Sequence, residues 1–372
     1  MSVEKPLPGS RWKREKGDLD FEQPDRWFKG EFCHTFPTNR AILPTDALLG
    51  WSPLAPIVRK ESKVIAFGSC FAEYFIRFLA AHGYNTWTAP LERHAPSEEN
   101  LLLSLGQTFE NIFVVVQQFR WAFGEFSPKE GMWITKDKLC FEATEERRLK
   151  VRSTLSRADV VVITLGLSEV WFDQVENEPL WRTMPERLYE PGRHMFKLAT
   201  VAETEQALLE LDRLVQQYCP RLKVVLTISP IPLLATFRNQ SPITANQVSK
   251  SILRVSLDSF MTRASVRESC RYFYFPSYEL VFSLFGNPFE ADNRHVRSDV
   301  AATIMDIFRM AYTDIPGDNS LSRVETAENV LRTQILSLKQ EIQAKENVIQ
   351  DLHQAAEERL AIIRRLESSA AK

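Results

Sequence analysis

Val64, Ile65, Ala66 and Phe67 form an unbroken apolar block, and Phe71, Phe75, Phe78 and Leu79 behind them return at helical spacing. A short continuous run fits a strand buried on both faces, and the 3.6-residue return fits a helix laid across it. The same alternation of short apolar block and amphipathic stretch continues to about residue 313. It predicts strands at 64–67, 84–87, 159–165, 222–228 and 272–275, with helices near 70–82, 106–124, 145–157, 202–218, 243–264 and 297–312. Strands that alternate with helices define an α/β domain with a mostly parallel sheet.

The pattern changes at both ends. Residues 1–60 hold several prolines and tryptophans with little periodicity, and read as an irregular lead packed on the core of 61–313. At 314–323, opening with DIPGDNS, Pro316 and Gly317 punctuate the chain and mark a linker. Over 324–367, Ile335, Ile342, Ile349, Ala356 and Ile363 recur every seven residues, as do Leu331, Leu338, Lys345, Leu352, Arg359 and Leu366. Isoleucine on one seam position and leucine on the other favour a parallel two-stranded coiled coil, about 65 Å long between residues 324 and 366. A homodimer through 324–366, docking on another coiled-coil protein, and a helix lying on the core are the alternatives.

Composition narrows the function classes. A net charge of −2, with no basic module rich in aromatics, gives no case for nucleic acid. The five cysteines at 33, 70, 140, 219 and 270 are widely spaced without a C-x-x-C, so reduced thiols in a cytoplasm are expected. The first twenty residues carry charges where a signal peptide needs an apolar core, and no apolar run reaches membrane-spanning length. His34, His82, His94 and His194 lack ligand spacing, so no metal and no other cofactor is expected.

Chemistry concentrates where strands stop. Ser69, in GSCFA at 68–72, can cap the following helix or stand as a nucleophile at a strand's carboxyl end. TLGLSEVW places Gly166, Ser168 and Glu169 after another strand, and SPIP places Ser229 after a third. Ligands in open α/β sheets bind outside these carboxyl ends. DNRH supplies Asp292 and His295 three apart, a carboxylate to orient an imidazole and an imidazole to take a serine's proton. Cys70 is the rival nucleophile. Glu169 is a second acid or base, or the partner of Arg238; the ion pair is the expectation. Arg294 and Arg297 read as solvated. Trp121, Trp133, Trp171 and Trp181 are expected in the core, with stacking on a sugar ring the alternative.

GSCFA, TLGLSEVW, SPIPLLATF (229–237), YFYFPSYE (272–279) and DNRHV (292–296) together resemble the GSCFA family over roughly 60–313. That family resembles the SGNH hydrolases, which implies a three-layer α/β/α fold with a serine after the first strand and a D-x-x-H motif near the domain's end. Carried over by motif, Ser69 is the nucleophile, His295 the base and acid, and Asp292 its orienting partner. Gly68, Asn111, Gly166, Ser168 and Glu169 fall to the oxyanion and substrate site, where the Ser69 N–H and the Asn111 amide are the candidate donors. The chain departs from the pattern at Ser168, where an asparagine is expected, and at Glu110, where a glycine tends to precede Asn111. The resemblance implies a serine esterase or O-acyltransferase working through an acyl-enzyme on Ser69, on O-acetyl groups of a carbohydrate or similar polar acceptor. A binding or scaffold protein, with the coiled coil joining partners, is the alternative.

Overall fold

Four apolar runs assemble as the alternation predicts. The computed structural model describes residues 12–15, 18–21, 36, 41–69, 71–86, 111–134, 138–314, 343 and 345–360. Its strands in chain order are β1 (Trp12–Glu15), β2 (Asp18–Phe21), β3 (Val64–Gly68), β4 (Val160–Leu165), β5 (Glu169–Asp173), β6 (Glu178–Pro179), β7 (His194–Leu198), β8 (Lys223–Ile228) and β9 (Tyr272–Tyr274). The helices are α1 (Pro44–Leu48), α2 (Phe71–Ala81), α3 (Ile112–Ala122), α4 (Glu145–Arg157), α5 (Val201–Tyr218), α6 (Pro242–Thr262), α7 (Ala264–Glu268), α8 (Ser277–Leu284) and α9 (Ser298–Tyr312). The chain divides into two units, Met1–Asp46 and Ala47–Lys372. In the first, β1 and β2 pair as an antiparallel hairpin.

The second unit is built on a parallel sheet of order β3-β4-β8-β9. Its faces follow from strand pleating, which sends successive side chains to opposite sides. Ile65, Phe67, Val161 and Ile163 pack with α3, α4, α5 and α6, whereas Val64, Ala66, Val160 and Val162 pack with α2, α8 and α9. Helices therefore cover both faces, and this is why the strands are apolar throughout instead of alternating. On the second face Phe75 meets Phe275 and Phe308 edge-on at 5.8 and 4.9 Å. Burying each such ring stabilises the fold by about 1.5–3 kcal/mol.

Two expectations need correction. The strand at 84–87 shrinks to one bridge between Val64 and Thr86, with Trp87 outside the described residues. A second sheet, β6-β5-β7, antiparallel and unanticipated, fills the interval after β4. From the 1–60 lead, Leu48, Ile57 and Val58 are buried in the core of the second unit, and the N–H groups of Ile57 and Val58 bond to the Tyr312 carbonyl. Of the heptad segment, 345–360 is a helix whose side chains, Ile349 and Leu352 among them, are all exposed. The seam at 324–342, the start of the helix expected from 106, and Cys70 lie outside the described residues.

Gly68 decides how the sheet ends. Its φ is +125°, and a Cβ there would stand 2.1 Å from the Thr164 carbonyl oxygen on β4. Only glycine fits. Gly68→Ala is expected to cost about 3–5 kcal/mol through clash and backbone strain together, read as a lowered urea midpoint at unchanged slope. Gly50→Ala, at φ +82° but with open space around it, is the control and should cost only about 1 kcal/mol. Equal costs at the two sites would refute the close approach as the cause.

Candidate functional site

The turn forced by Gly68 delivers Ser69 to the carboxyl edge of the sheet. Ser69 is 6% exposed. Its N–H is shared between the carbonyl and the Oγ1 of Thr164, both at 2.8 Å. Its hydroxyl lies 3.0 Å from Thr164 Oγ1 and accepts the N–H of Phe71, the first residue of α2, at 3.2 Å. Capping is thus part of what Ser69 does. Its backbone N–H, an anticipated oxyanion donor, is already spent on β4.

The loop 290–296 preassembles the other pair. Asp292 Oδ1 accepts the N–H groups of Arg294 and His295, each at 2.9 Å, while Oδ2 pairs with His295 Nδ1. The loop turns at Asn293, whose φ of 56° asparagine tolerates well. The imidazole contact, followed by the two backbone N–H groups, holds the Asp292 carboxyl down to about 2. With Nδ1 committed to the carboxylate, Nε2 is the nitrogen left for a substrate or serine proton. The His295 side chain is 52% exposed, and no hydrogen bond joins it to Ser69 among the described residues.

A cavity of about 350 Å³ lies at these strand ends. Ser69, Asn111, Gly166, Glu169, Trp171 and Arg294 line it. Arg294 is not merely solvated, since its Nε donates to the Pro232 carbonyl at 3.2 Å and so ties the 290–296 loop to the cavity rim. Arg297 pairs with Asp299. Ser168 turns away from the cavity: its N–H donates to Ser249 Oγ at 2.6 Å and its hydroxyl to the Ser249 carbonyl at 3.0 Å. Trp121, Trp133 and Trp181 are buried in the core as expected and Trp171 packs against it, while Trp171 and Trp181 also reach the cavity wall. The unanticipated second sheet supplies much of that wall, through Glu169 and Trp171 on β5 and Phe196 on β7.

Glu169, 8% exposed, takes a 2.8 Å hydrogen bond from the Thr236 hydroxyl. The expected ion pair is corrected accordingly: Arg238 acts on Glu169 only through its charge, and Thr236 is the bonded partner. Burial raises the Glu169 carboxyl above its ordinary 4.5, outweighing both.

Lys250 was not anticipated. From the buried face of α6, and only 2% exposed, its ammonium donates to the carbonyls of Gly166, Ser229 and Ile231 at 2.6, 2.7 and 3.0 Å. One cation thereby ties together the loops after β4 and β8, with Asn246 Oδ1 adding a 3.2 Å bond from Leu233 N–H. A signal existed in the sequence: Asn246, Ser249 and Lys250 share with Leu253 and Leu257 the helix face that should have been apolar. Thr164 left no comparable trace.

Among the described residues no group of three or more His, Cys, Asp or Glu is placed to hold a metal ion, and no helix is long and apolar enough to cross a membrane. These features define an α/β protein with a parallel core sheet, a serine turned out at the end of its first strand, and a partly aromatic cavity beside it. The chain belongs to the GSCFA family, whose model matches residues 63–308. No curated protein matches it.

The raised carboxyl of Glu169 has a consequence for stability. The folded chain holds this proton more tightly than the unfolded one, so its contribution is full below pH 4.5 and is lost as pH rises through the raised value. Glu169→Gln removes that dependence. The difference in melting temperature between variant and parent should therefore move in the variant's favour as pH climbs from 4.5. A difference that stays flat over pH 4–8 would contradict the assignment.

Proposed function

We propose that the protein is a serine-dependent esterase or O-acyltransferase that works through an acyl-enzyme on Ser69. The observation that carries this reading is that Ser69 and Arg294, the residue beside His295 on the preassembled Asp292–His295 loop, line one cavity. In the reaction, Ser69 Oγ adds to the ester carbonyl carbon while its proton passes to His295 Nε2, and the carbonyl π pair moves onto oxygen. Collapse of this intermediate expels the alcohol, which takes the proton from His295. Water or an acceptor hydroxyl then releases the acyl group by the same steps in reverse. Asp292 keeps the imidazole in the tautomer that presents Nε2 and stabilises it when charged. The Ser69 hydroxyl must first leave Thr164, a rotation of one side chain. The aromatic cavity wall and Glu169 suit O-acetyl groups of a carbohydrate or a similar polar acceptor, and an SGNH-like three-layer α/β/α arrangement is what the family resemblance implies for the fold.

The heptads at 324–366 complete the proposal, as a parallel coiled coil that pairs two catalytic heads in a cytoplasmic homodimer. The exposed Ile349 and Leu352 side chains support pairing with another helix. Light scattering on the full chain should give twice the chain mass, and a truncation after Asp318 the mass of one folded head. A monomeric full chain would sink the dimer.

A second reading is a binding protein with a silent site. The Ser69 hydroxyl and N–H are both satisfied within the fold, and His295 is half in solvent. Labelling with a fluorophosphonate separates the two. The parent and Cys70→Ala should label, Ser69→Ala should not, and His295→Ala should label at least about a hundredfold more slowly. Folded parent that does not label would move the conclusion to the second reading, whereas labelling lost in Cys70→Ala but kept in Ser69→Ala would make Cys70 the nucleophile instead of Ser69.

A further inference from the structure

An acyl-transfer site needs hydrogen-bond donors aimed at the oxygen that becomes charged. Two of the nearest backbone donors are already engaged. Ser69 N–H goes to Thr164, and Ser168 N–H goes to Ser249 Oγ.

The Gly166–Leu167 peptide lies between these two, and its orientation is set from below. The Gly166 carbonyl accepts from the buried Lys250 ammonium, which is not part of the cavity wall, whereas Gly166 and Leu167 both line the cavity. A trans peptide is planar with its C=O and N–H on opposite edges, so a carbonyl drawn down to Lys250 turns the Leu167 N–H the other way. Among the described residues, no acceptor is bonded to that N–H. The other two carbonyls held by Lys250 belong to Ser229 and Ile231, which precede Pro230 and Pro232. Proline nitrogens carry no hydrogen, so of the three peptides fixed by this lysine only one has a donor to offer.

Asn111 stands in the same wall, 6% exposed. Its Oδ1 caps α3 by accepting the Val114 N–H at 2.9 Å, which leaves the Nδ2 donors with no partner among the described residues. The positive end of α3 lies directly behind it.

Resting on the acyl-transfer reading, we propose that Leu167 N–H and Asn111 Nδ2 form the anion-binding pair of this cavity, with Lys250 as the positioning residue that fixes the Leu167 peptide. The ligand class is a single carboxylic oxygen bearing charge, either the oxyanion of the tetrahedral intermediate or one oxygen of a small free carboxylate. The missing asparagine at 168 is then replaced by a backbone donor one residue earlier.

Two probes test the pair in the full chain labelled with [15N]leucine and [15N]asparagine. Butylboronic acid forms a tetrahedral anionic adduct with an activated serine, and acetate, used with Ser69→Ala, needs no nucleophile. Both should move the Leu167 amide proton and the Asn111 side-chain amide downfield, with the Leu167 peak identified by its loss in Leu167→Met. Asn111→Asp keeps the α3 cap but removes the donor, and should weaken boronate binding about a hundredfold. In Lys250→Met, where it folds, the Leu167 shift should vanish while that of Asn111 persists. A merely structural lysine would lower the melting temperature and leave both shifts in place. A boronate adduct on Ser69 with the Leu167 amide unmoved would overturn the proposal and leave the nucleophile standing. An acetate response at both amides without any boronate adduct would do the reverse, and silence at Leu167 with both probes would overturn the pair outright.

Discussion

The close approach of β3 to β4 at Gly68 and Thr164 is the constraint on which the site depends. With no Cβ in the way, the Thr164 carbonyl and hydroxyl reach the Ser69 N–H, and the chain turns directly from strand into α2. Everything chemical about Ser69 follows from that contact. It brings the hydroxyl to the cavity floor, supplies its resting partner, and takes its N–H out of use. A larger residue at 68 would push the strands apart at the point where the cavity begins.

A second organising contact works from the opposite side. The loops after β4 and β8 carry two prolines and few regular hydrogen bonds of their own, so they need an external anchor. The Lys250 ammonium is that anchor, with three protons for three carbonyls. Ion–dipole bonds of this kind are roughly twice as strong as neutral ones, which suits a buried position where each unpaired carbonyl would be costly. The cavity is thus framed by two rigid supports, one of glycine and threonine backbone and one of a buried cation. The Asp292–His295 loop joins it at the rim, tied by Arg294 to the Pro232 carbonyl and by the Tyr74 hydroxyl to the Val296 carbonyl.

Much of this was legible from one chain. The unbroken apolar blocks at 64–67, 159–165, 222–228 and 272–275 could only be strands covered on both faces, and the sheet contains all four. The pairing of Asp292 with His295 was readable because three residues of loop are self-sufficient, the carboxylate bonding two backbone N–H groups inside its own turn. The strand expected at 84–87 is not reproduced because a short apolar piece at a sheet edge has one neighbour to pair with, and among the described residues it forms a single bridge. The second sheet was missed because its strands are short and broken by polar turns, with little periodicity to read.

The sequence by itself determined which residues are apolar at which period, and therefore the parallel α/β core, the helical ends of the loops, and the membership in a family defined by motifs at strand ends. These are local or short-range properties, set by side-chain volume and hydrogen bonding over a few residues. Only the tertiary structure decided which polar groups remain available. The commitment of Ser69 to Thr164, of Ser168 to Ser249, of Glu169 to Thr236 and of Lys250 to three carbonyls are each made across roughly twenty to one hundred residues of chain. Whether a donor faces a cavity or a neighbouring strand depends on that long-range packing, and no periodicity in the sequence encodes it.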